Sequence, residues 1–103
     1  MEIKWVDTHC HLQLLNKNLD DNHFKNIEFL IIPGVDVKSS SKAKEISSSL
    51  DVESYWSAGL HPHDAKLLNN QRHDLEKLFV EADLIGETGL DFYRNLSTKE
   101  EQR

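Results

Sequence analysis

The sequence predicts an α/β fold of consecutive parallel βα units, and three observations carry that prediction. Short apolar runs alternate with longer amphipathic stretches along the chain. The runs end near residues 8, 33, 60 and 87, a spacing close to the roughly 30 residues of a βαβ unit. The clearest run, Phe29-Leu30-Ile31-Ile32, is apolar at every position, as strands covered on both faces of a parallel sheet are.

Residues 3–6, Ile3-Lys4-Trp5-Val6, read as a first strand running into Asp7-Thr8-His9. Residues 14–26 form the weakest of the helical segments, because their Asn and Asp side chains compete for backbone groups. The second strand, 29–32, is stopped by Pro33-Gly34, and residues 40–50 follow as a helix with Ala43, Ile46 and Leu50 at helical spacing. The third strand, 55–60, is stopped by His61-Pro62. Residues 71–82 then place Leu75, Leu78, Phe79 and Ala82 on one apolar stripe. The fourth strand, 84–87, is stopped by Thr88-Gly89. Ser97-Thr98-Lys99-Glu100 has the Ser-x-x-Glu form of a capping box and announces another helix shortly before Arg103. Trp5 and Trp56 are expected in the core, Cys10 as a small buried hydrophobe, and His23 and His73 on the surface. Four strands and three helices without a linker make residues 1–103 one domain, read as the N-terminal portion of a longer one.

Composition narrows the function classes. With 12 Lys and Arg against 18 Asp and Glu, the formal charge is −6. A broad basic face for coating nucleic acid is therefore excluded, although an enzyme gripping a few phosphates through metal ions is not. The longest apolar run falls far short of the roughly 20 residues of a membrane span. The start, Met1-Glu2-Ile3-Lys4-Trp5, lacks the pattern of a secretory signal. A single cysteine suits a reducing compartment, so a cytoplasmic location is expected.

The residues that carry chemistry gather where the strands end, as βα architectures require. His9 and His11 lie two apart on an extended segment, so their imidazoles project to one side, with Asp7 expected beside them and Cys10 opposite. Such a pair can chelate a divalent cation or can be two satisfied or exposed histidines. Gly34-Val35-Asp36 closes the second strand. His61 and His63 flank Pro62, which aims both rings; His63 also reads as a solvent-facing loop residue. Glu87, on a buried strand beside Gly86, needs either a metal or a basic partner. Asp91 reads as a loop cap accepting backbone N–H groups. Arg94 reads as an anion contact or a solvated surface residue. Two histidines, a glutamate and a divalent ion can polarise a phosphoryl oxygen and acidify water.

The four strand-end segments together resemble the TatD family of metal-dependent hydrolases. Asp7-Thr8-His9-Cys10-His11-Leu12, Pro33-Gly34-Val35-Asp36, Ala58-Gly59-Leu60-His61-Pro62-His63 and Ile85-Gly86-Glu87-Thr88-Gly89-Leu90-Asp91-Phe92 are similar to its motifs in order. The stretch from Tyr93 to Gln102 is also TatD-like. The resemblance implies a TIM (β/α)8 barrel, of which this chain supplies about the first half. It also implies hydrolysis of DNA phosphodiester bonds with two divalent ions, magnesium first and zinc or manganese as alternatives. His9 and His11 become ligands of one ion, and Glu87 a catalytic residue bridging both. His61 becomes a catalytic residue facing the substrate phosphate, and His63 and Arg94 join it as substrate-binding residues. Because a whole barrel takes roughly 250 residues, the isolated chain is expected to turn over little or none, and its acidic balance predicts weak DNA binding. Two rival readings stand beside this one. One is a non-catalytic, truncated half barrel whose open edges pair with another chain, which would complete or cover it. The other is a phosphoesterase of the polymerase-and-histidinol-phosphatase type, which also opens on His-x-His but fits Gly86–Asp91 poorly.

Overall fold

The computed structural model describes residues 3–15 and 18–103. The Ile-rich run gives β2 (Ile27–Ile32) and the run centred on Tyr55-Trp56 gives β3 (Glu53–Ala58), both six residues long and flanked by the shorter β1 (Trp5–Asp7) and β4 (Leu84–Ile85). All neighbours pair in parallel, in the order β1-β2-β3-β4. The register sets Leu30 beside Ser54 and Ile32 beside Trp56, and Ala58 beside Ile85. Every strand therefore ends on the same side of the sheet, and the expected succession of parallel strands is present, with α-helices after β2 and β3.

Two helices cover one face. α1 (Val37–Ser49) starts three residues earlier than its apolar spacing indicates, because Asp36 caps it by accepting the Ser39 N–H at 2.7 Å. α2 (Leu68–Glu81) follows a 3-10 turn, Pro62–Leu67, with Pro62 at its first position. Leu30, Ile32, Trp56 and Ala58 of the sheet pack with Ala43 of α1, with Ile46, Leu78 and Phe79 alongside. Lys44 and Glu81 pair across the two helices. The opposite sheet face carries Phe29, Ile31 and Tyr55, half-buried, with the Phe29 and Tyr55 rings edge to face at 5.8 Å.

Three expectations are corrected. Residues 14–26 hold no helix among those described; 3-10 turns at Leu12–Leu14 and Asp21–Phe24 take its place, because Asn and Asp side chains bond the local backbone. His23 and His73 are exposed as expected, and His23 also forms a reciprocal cap with Asp20. Trp56 is core at 7% exposure, whereas Trp5 is 62% exposed, because β1 is an edge strand that neither helix covers. The last capping box lies one residue later than read: Thr98 and Glu101 cap α3 (Lys99–Gln102), while Ser97 is buried. No helix among the described residues is long and apolar enough to cross a membrane.

Candidate metal centre

The His-x-His segment is aimed by its middle residue. Cys10 donates its N–H to Ile31 O at 3.1 Å and its thiol to the same oxygen at 3.4 Å, which sews it to β2. Burial, with the Asp7 carboxylate adding to it, pushes this thiol up to about 11. His9 and His11 consequently project the other way. Their Nε2 atoms lie 3.0 Å apart, with the rings edge to face at 81°. Asp7 does not join them; its carboxylate accepts the His9 N–H at 3.0 Å and closes the turn after β1.

Glu87 arrives from the far end of the sheet and is held by its backbone. Gly86 N–H donates to Ala58 O at 2.9 Å and Glu87 N–H to Gly34 O at 2.7 Å. Ser57 Oγ, accepting from Gly34 N–H at 3.2 Å, donates to Gly86 O at 2.8 Å. Ser40 Oγ accepts the Gly59 N–H at 3.3 Å. This crossing has room for nothing larger than glycine. A Cβ on Gly59 would sit 2.2 Å from the Gly86 carbonyl carbon, and one on Gly34 2.7 Å from Ser57 O. Ser40 and Ser57 have no site role in the sequence reading, yet they tie three strand ends together. Ser57, a polar residue inside an apolar strand, is the visible clue.

So placed, Glu87 Oε2 lies 3.0 Å from His11 Nε2 and 3.7 Å from His9 Nε2. Donor atoms each about 2.1 Å from one ion stand roughly 3.0 Å apart at right angles and about 3.4 Å apart at the tetrahedral angle. Two imidazole nitrogens and a carboxylate oxygen at these separations fit a divalent cation, and the three residues form the potential metal-holding group among the described residues. His11 Nδ1 is buried without a partner among the described residues, so the ring's orientation rests on its Nε2 side.

The remaining strand-end residues form a second arm. His61 Nδ1 accepts the His63 N–H at 3.1 Å, and its Nε2 lies 3.9 Å from Glu87 Oε1. The His61 and His63 rings meet edge to face at 4.2 Å. His63 Nε2 reaches Asp91 Oδ2 at 2.5 Å. Asp91 also caps its loop as expected, its Oδ1 accepting from Tyr93 N–H at 3.1 Å and Arg94 N–H at 3.3 Å. The Arg94 guanidinium, 62% exposed, donates to Asp91 Oδ2 at 3.1 Å. The His63 hydrogen bond foremost, with help from Arg94 and against partial desolvation, holds the Asp91 carboxyl well below the usual carboxylate range. Gln102, given no site role in the sequence, closes on Asp91 from both sides: its Oε1 accepts the Asp91 N–H at 2.6 Å and its Nε2 donates to Asp91 O at 3.0 Å. Asp36 caps α1 and takes no part in either arm among the described contacts.

Known proteins match this arrangement. The profile of the family described as TatD related DNase matches residues 6–103. The chain is 38% identical over 77 residues to the 3'-5' ssDNA/RNA exonuclease TatD of Escherichia coli, covering 71% of this chain and 29% of that protein. It is 30% identical over 119 residues to an uncharacterized metal-dependent hydrolase of Buchnera aphidicola, covering 95% and 44%. The chain thus spans less than half the length of these relatives. Among solved structures, an uncharacterized amidohydrolase from Saccharomyces cerevisiae superposes with a TM-score of 0.73 at 20% identity, over 97% of this chain and 41% of that one. A TatD family hydrolase from Entamoeba histolytica gives 0.71 at 21% identity, over 99% and 43%. The four parallel strands and their helices are therefore about half of a TIM barrel, and the chain belongs to the TatD family of metal-dependent hydrolases.

Proposed function

We propose that this strand-end site serves metal-dependent hydrolysis of DNA phosphodiester bonds. The observation that carries the reading is the convergence of His9 Nε2, His11 Nε2 and Glu87 Oε2 within 3.0 to 3.7 Å at the sheet's C-terminal edge. His9, His11 and Glu87 would hold the ion, with magnesium first and zinc or manganese as alternatives. Glu87 would also help to hold a second ion. When bound, such ions polarise phosphoryl oxygens and lower the pKa of water.

The chain's own residues do the rest. His61 accepts a backbone N–H at Nδ1, so its proton sits on Nε2, where a phosphate oxygen can accept it. His63 and the exposed Arg94 border the same mouth as substrate-binding groups, with Arg94 tethered through Asp91. The acidic balance of −6 leaves few cations for phosphate contacts, so DNA binding is weak, with a shallow salt slope. A cytoplasmic setting suits the free thiol of Cys10.

The edge strands support a second component of the reading. β1 and β4 each have one strand neighbour among the described residues, and Trp5 and Ile85 are more than half exposed. Further strands, of this or another chain, would pair there and complete the barrel.

Fluorescence anisotropy of a labelled single-stranded oligonucleotide tests the substrate. Weak binding that needs magnesium or manganese and disappears in Glu87→Gln is expected. Binding indifferent to chelator and to Glu87→Gln would overturn the reading.

A further inference from the structure

Asp91 makes more bonds than a loop cap requires. Capping uses Oδ1 alone, through the Tyr93 and Arg94 N–H groups. Oδ2 is turned the other way, onto His63 Nε2 at 2.5 Å, with Arg94 Nη1 at 3.1 Å. The bond's two ends are also fastened to one segment. Gln102 grips the backbone of Asp91 through its N–H and its carbonyl, and Gln102 Nε2 reaches Ser97 O at 2.9 Å. Ser97, 2% exposed, donates its hydroxyl to His63 O at 2.8 Å and accepts the Lys66 N–H at 3.1 Å. Seven hydrogen bonds thus hold one imidazole–carboxylate contact and its loop in place, beside a site to which none of them contributes a ligand.

We propose that Asp91, clamped by Gln102, is a positioning residue that acts through His63 to hold the His61 ring toward a substrate phosphodiester oxygen. The inference rests on the nucleic-acid reading above for its substrate, and on the hydrogen bonds alone for its geometry. An ionised carboxylate only accepts, so the His63 proton is drawn to Nε2. That bond fixes the His63 ring, against which the His61 ring packs edge-on at 4.2 Å. The His63 N–H meanwhile commits His61 Nδ1 as an acceptor, leaving the His61 proton on Nε2, the nitrogen 3.9 Å from Glu87 Oε1. The relay ends on an N–H donor directed at the place where the candidate cation and a phosphate oxygen would meet.

Long-range proton–nitrogen NMR of the chain labelled with 15N-histidine reads this directly, at about pH 9, where free imidazole is neutral. In the native chain, the His63 proton is expected on Nε2. In Asp91→Asn, the amide oxygen still accepts from Tyr93 and Arg94 while its NH2 faces His63. The His63 proton should therefore move to Nδ1. A native chain with the proton on Nδ1 overturns the proposal, whether or not the variant folds. So does a folded Asp91→Asn chain whose His63 signals match the native ones. Adding magnesium and the dinucleotide thymidylyl-thymidine should shift the His61 Nε2 signal in the native chain and less so in Asp91→Asn. An equal shift in both chains overturns the relay. A tautomer change with no dinucleotide response upholds Asp91's hold on His63 and overturns the nucleic-acid reading instead.

Discussion

The two arms of the strand-end mouth are built by opposite rules. In the His9, His11 and Glu87 arm, side-chain ligand atoms crowd to 3.0–3.7 Å of one another. In the His61, His63 and Asp91 arm, the donors and acceptors are matched inside the protein and fastened by Gln102 and Ser97. Imidazoles and a carboxylate crowded in this way are costly unless a cation or a shared proton joins them. Matched ones are preorganised and need none. The contrast supports the proposal that the first arm binds a cation and the second orients.

Separating stability from site assembly gives the largest expected effects. Gly59→Ala and Leu75→Ala should each cost about 3 kcal/mol in denaturant unfolding, the first by overpacking against the Gly86–Glu87 backbone and the second by leaving a cavity under α2. Gly59→Ala alone should also abolish zinc binding by the folded chain, because it displaces the backbone that presents Glu87. Equal zinc affinities in the two variants would show that the glycine crossing does not build the site.

Cys10 gives a smaller effect. Its thiol is pushed up to about 11, so alkylation by iodoacetamide at pH 8 should run roughly 100-fold slower than for an unhindered free thiol. Sign and window follow from linkage: a folded-state pKa above the unfolded value near 8.5 means stability is full below that pH. It is lost as pH rises toward 11, where only the unfolded chain has released the proton. A rate equal to that of a free thiol would contradict the burial behind His9 and His11.

The smallest effect belongs to Asp91. Its depressed pKa contributes stability that is present above the unfolded value near 3.9 and is lost as pH falls below it toward the folded one. Amide exchange at Tyr93 and Arg94 should therefore stay slow from pH 7 down to about 4. Loss of protection already at pH 6, well above the carboxylate range, would show that the Asp91 carboxylate does not hold the loop.

Strand existence and order were legible because each buried run is locally apolar and locally stopped, as at Ile32-Pro33-Gly34. The pairing of His9 with His11 was legible for a similar reason, because they share one side of a short extended segment. What could not be read depends on distant partners. Ser97 and Thr98 are equivalent hydroxyls before equivalent glutamates, and only the approach of His63 O and Lys66 N–H selects Ser97 for burial and Thr98 for the cap. Gln102 grips backbone eleven residues away, which no side-chain pattern records. Trp5 looks like core by composition, and its exposure follows from β1 having a single neighbour among the described residues.

The central claim is that His9, His11 and Glu87 form a cation site while Asp91 does not take part in it. Calorimetric titration of zinc into the native chain, the His9→Ala/His11→Ala double variant and Asp91→Asn tests it most directly. The account predicts that the double variant loses more than the roughly 10- to 100-fold in affinity that follows loss of a ligand's supporting partner. Asp91→Asn should stay close to the native value. Unchanged affinity in the double variant, or an equal loss in Asp91→Asn, would contradict it.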